Sequence, residues 1–240
     1  MLKTIVDIVY PRRCPICGEI AVPRGALACA PCKLKVRPIE EPRCKKCGKP
    51  IDSEEKEFCY DCENSTYHYS KGFSLWLYDE CMKRSLADFK YHGRREYGDF
   101  YAKELVNQFR DDIRRIAPDV LVPVPIHKSK LIQRGYNQAD ILAKLIGKKL
   151  DIPVLSNLLR RDKKTLPQKQ LNDKERLKNL QRAFTFDGEE LSRYNHVIHT
   201  VLLVDDIYTT GSTIEACSNI LLKNGIDKVY FVSICIGKGF

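Results

Sequence analysis

Eight cysteines in the first 62 residues constrain the fold of this chain more than any other feature of its sequence. They form four Cys-x2-Cys pairs, grouped into two units with eleven residues between the two pairs of each unit. The second unit repeats the first at an offset of 30 residues. Two such pairs supply the four thiolates of a tetrahedral zinc site. The candidate ligands are Cys14, Cys17, Cys29, Cys32, Cys44, Cys47, Cys59 and Cys62. We therefore predict structural Zn²⁺, one ion or two, rather than disulfides.

The spacing leaves open which pairs share a metal ion. Sequential pairing gives each unit its own ion, whereas a cross-braced arrangement joins the first pair to the third. Gly18 and Gly48 follow the second cysteine of a pair, where a chain turning around a metal often needs a positive φ. Ligation by thiolates alone leaves no open coordination position, so the metal is expected to be structural. The other three cysteines, Cys81, Cys217 and Cys235, are expected to be buried.

The composition is typical of a globular protein with a basic surface. Of the 240 residues, 43% are hydrophobic and 30% are charged, which is enough for a sizeable core. The net charge is +10, of which residues 1–65 contribute +2, so +8 lies in residues 66–240. This basic part favours anionic partners, either phosphorylated small molecules or nucleic acid, although a solvated basic surface is the alternative.

The sequence predicts a cytoplasmic protein without a membrane span. No apolar run approaches the roughly 18–20 residues that a membrane helix needs. Residues 1–14 indicate a short amphipathic helix rather than a signal peptide, because an acid interrupts the apolar stretch and no small-residue cleavage site follows.

From about residue 70, strand-like and helix-like segments alternate. The predicted strands span 73–78, 119–126, 200–206 and 229–236, and the predicted helices span 80–90, 97–115, 137–150 and 213–224. The third of these helices has Asn137 as its predicted N-cap, with Asp140 three positions later in an arrangement like a capping box. Continuous apolar strands separated by helices indicate an α/β fold, with a mainly parallel sheet covered by helices on both faces. We predict a cysteine-rich zinc module in residues 1–68 and an α/β domain in residues 69–240. Such sheets bind ligands at the carboxyl ends of their strands.

The segment VLLVDDIYTTGST (201–213) joins a buried strand to a helix through two acids and a turn rich in hydroxyls. Asp205 and Asp206, which only accept hydrogen bonds when ionised, suit the two donors of a vicinal diol. The turn offers backbone N–H groups at a helix start, together with hydroxyls, to a phosphate dianion. Its residues are Thr209, Thr210, Gly211, Ser212 and Thr213. A ribose with a 5′-phosphate fits both halves, and an ordinary capped strand–turn–helix junction is the alternative.

This segment resembles, over its whole length, the motif with which type I phosphoribosyltransferases bind phosphoribosyl pyrophosphate (PRPP). The resemblance implies that Asp205 and Asp206 hold the ribose 2′ and 3′ hydroxyls and that residues 209–213 surround the 5′-phosphate. It also implies Mg²⁺ bound together with PRPP. Thr209 stands where purine-salvage members carry a third acid, and orotate-type members also have Thr there. A purine base is therefore a poorer substrate, and the sequence identifies neither the acceptor nor a general base.

The chain as a whole is similar to the ComF family of competence proteins, of the ComFC type. Besides the cysteine-rich front, the similarity lies in FKYHGRR (89–95), in VPVPIHKSKLIQRGYNQA (122–139) and at Gln168, Leu171, Arg176, Asn179, Ala183 and Phe184. It implies a zinc-ribbon-like module, a type I phosphoribosyltransferase core and a role in the uptake and processing of transforming DNA. It further implies a partner from the competence machinery, of helicase type.

Three basic segments are further candidates for anion binding. The strand at 119–126 leads into the place where the phosphoribosyltransferase family binds pyrophosphate, with the candidates Ile126, His127, Lys128, Lys130 and Arg134. Residues 160–182 hold nine basic side chains against three acids. We predict a mobile loop over 160–175 that closes over the site, with the candidates Arg160, Arg161, Lys163, Lys164 and Gln168. Solvated charged loops are the alternative for both segments. The third segment is the cluster Lys90, Arg94 and Arg95. The sequence does not reveal where this cluster lies relative to the ligand.

Two functions stay open at this level. The first is a phosphoribosyltransferase that uses PRPP and Mg²⁺ and displaces pyrophosphate from C1 of the ribose. The second is a non-catalytic adaptor that binds single-stranded DNA and a partner protein, and that keeps the PRPP site as a ligand-sensing or vestigial site. A steep fall of DNA affinity with salt, through release of counterions from the phosphates, is expected of the second function.

Overall fold

The computed structural model describes residues 11–162, 183–194 and 196–237. The helices in these ranges are α1 (Ala30–Lys33), α2 (Tyr60–Glu63), α3 (Glu80–Tyr91), α4 (Tyr97–Ile116), α5 (Lys128–Arg134), α6 (Gln138–Leu150), α7 (Gly188–Tyr194) and α8 (Ser212–Lys223). The strands are β1 (Gly72–Leu77), β2 (Val120–Pro123), β3 (Leu159–Arg161), β4 (Phe184–Phe186), β5 (Thr200–Tyr208) and β6 (Lys228–Ile236). The predicted helix at the amino terminus falls mostly on residues 1–10, outside these ranges.

Four strands form one parallel sheet in the order β1-β6-β5-β2. Because successive side chains of a strand point to opposite faces, the apolar runs seen in the sequence supply both faces at once. In β5, Leu202 and Val204 pack with α3, α4 and α6, whereas Val201 and Leu203 pack with α8 on the other face. The sheet is therefore buried on both sides, as predicted.

The predicted elements of this domain are present, and two of their ends differ from the prediction by more than one residue. Strand β2 stops at Pro123, three residues early, since the proline-rich sequence that follows cannot continue the ladder. Strand β5 continues to Tyr208, two residues beyond the predicted end. Helix α6 begins as expected, with the Asn137 side chain accepting a hydrogen bond from the backbone N–H of Ala139. The capping role expected of Asp140 is not seen, because its carboxylate bonds to Ser156 and Lys144 instead.

A separate two-stranded antiparallel sheet is made by β3 and β4. It contains Arg160 and Arg161, which therefore lie in a strand and not in the predicted mobile loop. The strand forms here because Leu159 and Phe184 are buried against the main sheet. Lys163, Lys164 and Gln168, the remaining candidates of that loop, lie outside the described residues.

The two cysteine units have the same backbone geometry. In each, a glycine with φ of +78° follows the second cysteine, and its N–H donates to the carbonyl of the first cysteine at 2.9 Å. The second pair of each unit lies at the start of a short helix, α1 or α2. The first unit packs into the core on one face of the sheet and the second unit into the core on the other face. The predicted cysteine-rich module followed by a mainly parallel α/β domain is confirmed, whereas the type I phosphoribosyltransferase kind of that domain stays a prediction. The boundary at residue 68 stays a prediction.

None of the helices in the described ranges has the length and apolar character to cross a bilayer.

Candidate functional site

The eight paired cysteines come together as two groups of four. The first group is Cys14, Cys17, Cys29 and Cys32, and the second is Cys44, Cys47, Cys59 and Cys62. Within each group, all Sγ atoms lie within 4.8 Å of one another. The pairing is therefore sequential, and the cross-braced alternative is wrong.

Both groups suit tetrahedral zinc. Zn–S bonds of about 2.3 Å place the sulfurs of a tetrahedron about 3.8 Å apart, and the Sγ atoms of Cys47 and Cys59 lie 3.6 Å apart. In the first group, backbone N–H groups point at sulfur: Cys29 N lies 3.4 Å from Cys14 Sγ, and Val22 N lies 3.3 Å from Cys29 Sγ. Such donors stabilise thiolate ligands. The two groups of four thiolates thus favour two structural zinc ions per chain.

Asp205 and Asp206 lie at the carboxyl edge of the parallel sheet. Pro123, the last residue of β2, pairs with Val204, so the acids on β5 begin where that neighbouring strand ends. On the other side β5 stays paired with β6 as far as Tyr208. The strand extends past the acids because the Tyr208 ring stacks on Phe231, with centroids 4.7 Å apart and the planes within 2°. Both acids are half-buried.

Lys90 makes an ion pair with the second acid of this pair. Its Nζ lies 3.0 Å from Asp206 Oδ1, and the two side chains are only 17% and 14% exposed. The other acid, Asp205, accepts a hydrogen bond from the backbone N–H of Asp206 at 2.8 Å. Lys90 lies in the last turn of α3, in the segment FKYHGRR. The sequence marked this segment as basic, but the contact spans two distant parts of the chain and had no local signal.

The pKa of Asp205 is raised to about 7. Burial is the main cause and the charge of Asp206 is the second, while the cations Lys90 and Arg161 oppose the rise. One acid of the pair is therefore neutralised by a lysine, and the other changes its charge near neutral pH.

The five residues predicted to surround a phosphate form the turn after β5 and the start of α8. Thr209 and Thr210 are exposed, and Gly211 has a φ of +76° at the N-cap position. A Cβ on Gly211 would lie 2.4 Å from the hydroxyl of Tyr208, so both the backbone and the space demand glycine. The Thr210 and Ser212 hydroxyls lie 2.9 Å apart. The turn thus brings hydroxyls next to the first N–H groups of a twelve-residue helix.

The predicted pyrophosphate segment is a short helix rather than a loop. In α5, the His127 Nδ1 accepts a hydrogen bond from Ser129 N at 3.1 Å, so this histidine caps the helix. Ile126 is half-buried just before it, and Lys128 is exposed. Arg134, at the end of α5, lies over the Tyr91 ring at 4.7 Å and donates to its hydroxyl at 2.9 Å.

Two cations, Lys90 and Arg161, interact with the acid pair, and Lys130 and Arg134 lie close to these cations. The pKa of Lys130 is lowered, first by partial burial and then by the positive charges of Arg134, Arg161 and Lys90. Arg161 also interacts electrostatically with Asp205. The side chains of α3, α5 and β3 therefore give this edge of the sheet more positive than negative charge. Such a surplus attracts polyanionic ligands.

Comparison with known proteins finds a family match for the cysteine-rich part and relatives that cover most of the chain. Residues 5–63 match the double zinc ribbon domain family. The chain is 30% identical over 221 residues to Competence protein F of Haemophilus influenzae, covering 90% of this chain and 93% of that protein. It is 29% identical over 210 residues to Competence protein ComFC of Bacillus subtilis, covering 82% and 78%. It is 25% identical over 210 residues to the DNA utilization protein YhgH of Escherichia coli, covering 86% and 89%.

Among solved structures, a purine phosphoribosyltransferase from Pyrococcus horikoshii aligns with 59% of this chain and 85% of its own. The TM-score is 0.32 and the sequence identity 16%. This likeness is too weak to carry an argument about ligand or activity.

Proposed function

The chain belongs to the ComF family of competence proteins, and from this premise we propose that it binds PRPP with Mg²⁺ in a role in natural competence. The site is the acid pair together with the turn that follows it. The observation that carries the proposal is the position of Asp205, Asp206 and the turn 209–213 at the carboxyl edge of a parallel sheet. Ligands of open α/β sheets bind at this edge.

Each part of PRPP has a complementary group here. The carboxylates of Asp205 and Asp206 accept hydrogen bonds from the 2′ and 3′ hydroxyls of the ribose. The N–H groups at the start of α8 and the hydroxyls of the turn hold the 5′-phosphate. Lys90, Lys130 and Arg134 attract the pyrophosphate, to which bound Mg²⁺ would add further neutralisation of charge.

The ion pair between Lys90 and Asp206 is compatible with a bound diol. Lys90 contacts Oδ1 of Asp206, and a carboxylate has about four acceptor positions on its two oxygens. The hydroxyls of the ribose and the ammonium group are all donors, so they bind the same carboxylate without competing for one position. An incoming pyrophosphate also draws Lys90 toward itself, which leaves Asp206 more open to the sugar.

If PRPP reacts at this site, the bond between C1 and the pyrophosphate oxygen breaks while a nucleophile bonds to C1. The residues contribute positioning and charge. The acids fix the ribose, the turn fixes the 5′-phosphate, and the cations stabilise the negative charge of the departing pyrophosphate. The nucleophile's proton passes to solvent or to the released pyrophosphate.

Calorimetric titration with PRPP in excess Mg²⁺ tests the site. The double variant Asp205→Asn, Asp206→Asn replaces both charged acceptors with weaker neutral ones. Hydrogen bonds to charged groups contribute about 1.5–3 kcal/mol each, so the affinity should fall about 100-fold or more. The matched control is Asp111→Asn, at an exposed acid on α4, which should bind PRPP like the wild type. Equal affinity of the double variant and the control would refute the site.

The competence role is tested separately in a transformable strain that lacks its own ComF protein. The wild-type gene should restore transformation, the control Asp111→Asn should match it, and the double variant should not. Restoration by the double variant would separate the biological role from PRPP binding. Single-stranded DNA and a protein of the competence machinery are the partners that we propose for this role, because the part of the chain beyond residue 65 carries a net charge of +8.

A further inference from the structure

Residues 67–69, just after the second cysteine group, bond directly to the proposed phosphate turn. The Tyr67 hydroxyl donates to the carbonyl oxygen of Thr210 at 2.8 Å. The hydroxyls of Tyr69 and Tyr208 share a hydrogen bond of 2.8 Å inside the core. The rings of Tyr67 and Tyr69 stack with centroids 5.3 Å apart. A Cβ at Gly211 would come within 3.1 Å of the Tyr67 ring, so this ring forms one wall of the turn.

A buried acid in the first turn of α8 makes a second connection to the same segment. Glu215 is 1% exposed. Its carboxylate accepts hydrogen bonds from the backbone N–H of His68 and from the Asn219 side chain, both at 2.8 Å, and it is paired with His68 Nδ1. A buried carboxylate is costly without such donors. Residue 68 therefore fixes the start of the helix whose N–H groups face the proposed phosphate site.

The opposite side of this segment packs on the second cysteine group. Cys44, Cys47 and Cys59 share one buried cluster with Tyr69 and Tyr208. The backbone N–H of Gly72, at the start of β1, donates to the Lys46 carbonyl at 2.8 Å. The Lys46 ammonium also lies 5.2 Å from the centre of the Tyr69 ring. The first cysteine group packs into the cluster on the other face of the sheet and shares none of these contacts.

We propose that Tyr67 and Glu215 are positioning residues that make the phosphate turn depend on metal in the second cysteine group and not on metal in the first. The proposal rests on the proposed function for its ligand, but the structural coupling can be measured without one. With metal bound, the four sulfurs hold residues 44–62 in one conformation and so fix residues 67–69. Without metal, this segment loosens, so that the Thr210 carbonyl loses Tyr67 and the Glu215 carboxylate loses His68. Coupling of two sites is reciprocal, so a ligand on the turn must in turn retain the metal.

Amide hydrogen exchange of the full chain tests the coupling without ligand. Cys17→Ser and Cys62→Ser each remove the most exposed cysteine of one group. In Cys62→Ser, exchange over residues 209–215 should accelerate at least tenfold, whereas in Cys17→Ser it should match the wild type. Residues 97–116 report on global unfolding and should stay protected in both. Equal exchange over 209–215 in the two variants overturns the proposal, whether or not PRPP binds.

A milder variant removes one hydroxyl and leaves all cysteines in place. Tyr67→Phe should weaken PRPP binding about two- to tenfold, the range of one net hydrogen bond. Tyr60→Phe is the matched control, because Tyr60 is 69% exposed on α2. The rate of zinc release to a chromogenic chelator is a second measurement, and a purely structural role of Tyr67 would leave its dependence on PRPP unchanged. Bound PRPP with excess Mg²⁺ should slow release from the second group in the wild type and in Tyr60→Phe, and much less in Tyr67→Phe.

The outcomes separate the two proposals. Absence of PRPP binding to the wild type refutes the proposed function, and the exchange experiment then decides the coupling by itself. If PRPP binds, three results would refute the coupling and leave the ligand assignment standing. These results are that bound PRPP slows zinc release from both groups equally, slows it from neither group, or slows it in Tyr67→Phe as much as in the wild type.

Discussion

The affinity for PRPP should rise with pH, because Asp205 has a pKa of about 7. Its ionised carboxylate accepts hydrogen bonds from the ribose hydroxyls, and protonation replaces an acceptor with a donor. Because the pKa of Asp205 is raised above its usual value, the affinity for PRPP is highest well above pH 7 and falls as the pH drops through 7. An acid with this pKa is about nine-tenths ionised at pH 8 and about one-tenth at pH 6, so the affinity should fall about tenfold across this interval.

The substitution Lys90→Met should shift the midpoint of this pH dependence to higher pH. The charge of Lys90 lowers the pKa of Asp205 and neutralises Asp206, from which it is 3.0 Å distant. Nearby charges shift the pKa of an acid by about 1–3 units. Since Lys90 pairs with the neighbouring acid, we expect the lower end, a midpoint about one unit higher. The matched control is Lys83→Met, which removes a 59% exposed lysine of the same helix.

Calorimetric titrations with PRPP and excess Mg²⁺ between pH 6 and pH 9, at constant ionic strength, measure both midpoints. The phosphates of the ligand also titrate, with a pKa of about 6. Phosphorus NMR of free PRPP measures this titration, so the affinities can be corrected for it. A corrected affinity that does not change with pH would refute the role given to Asp205. A midpoint in Lys90→Met equal to that of the control would refute the electrostatic link between the lysine and the acids.

Three further predictions concern the metal, the turn and the core. Metal analysis should find two zinc equivalents per chain, one fewer in Cys47→Ser and the same number in Cys217→Ser, since Cys217 is buried outside both groups. Gly211→Ala should lower the free energy of unfolding in urea by about 1–3 kcal/mol, because its φ is +76° and the new methyl meets Tyr208. Phe231→Ala should cost about 3–5 kcal/mol in the same assay, since this fully buried ring stacks on Tyr208.

The parts of the fold that the sequence predicts well are those with local signals. Apolar runs over 200–206 and 229–236 mark strands buried on both faces, and the Asn137 cap marks the start of α6. The spacing of the cysteines predicts their four ligand pairs. These features depend on residues close together in sequence, which hydrophobic periodicity and capping rules can read.

The features that the sequence misses depend on contacts between distant segments. The extension of β5 to Tyr208 follows from stacking on Phe231 in another strand. The ion pair between Lys90 and Asp206 joins α3 to β5. The basic run that begins at Arg160 is typical of a loop by charge alone, yet burial of Leu159 and Phe184 makes its first residues a strand. Tertiary packing overrides the local pattern in each case.

The surplus of cations explains how the proposed site for a polyanion can contain two adjacent carboxylates. Two full negative charges would repel phosphate and pyrophosphate and would also repel each other in a half-buried position. The structure reduces both costs by pairing Asp206 with Lys90 and by placing Arg161 where its positive charge acts on Asp205. The surrounding cations then exceed the acids in number; they are Lys90, Lys130, Arg134 and Arg161. A sugar diol alone gains only the carboxylate acceptors, whereas a sugar that also carries pyrophosphate engages the cations as well. Under the proposed function, this charge pattern favours PRPP over ribose 5-phosphate before any contact with an acceptor is considered.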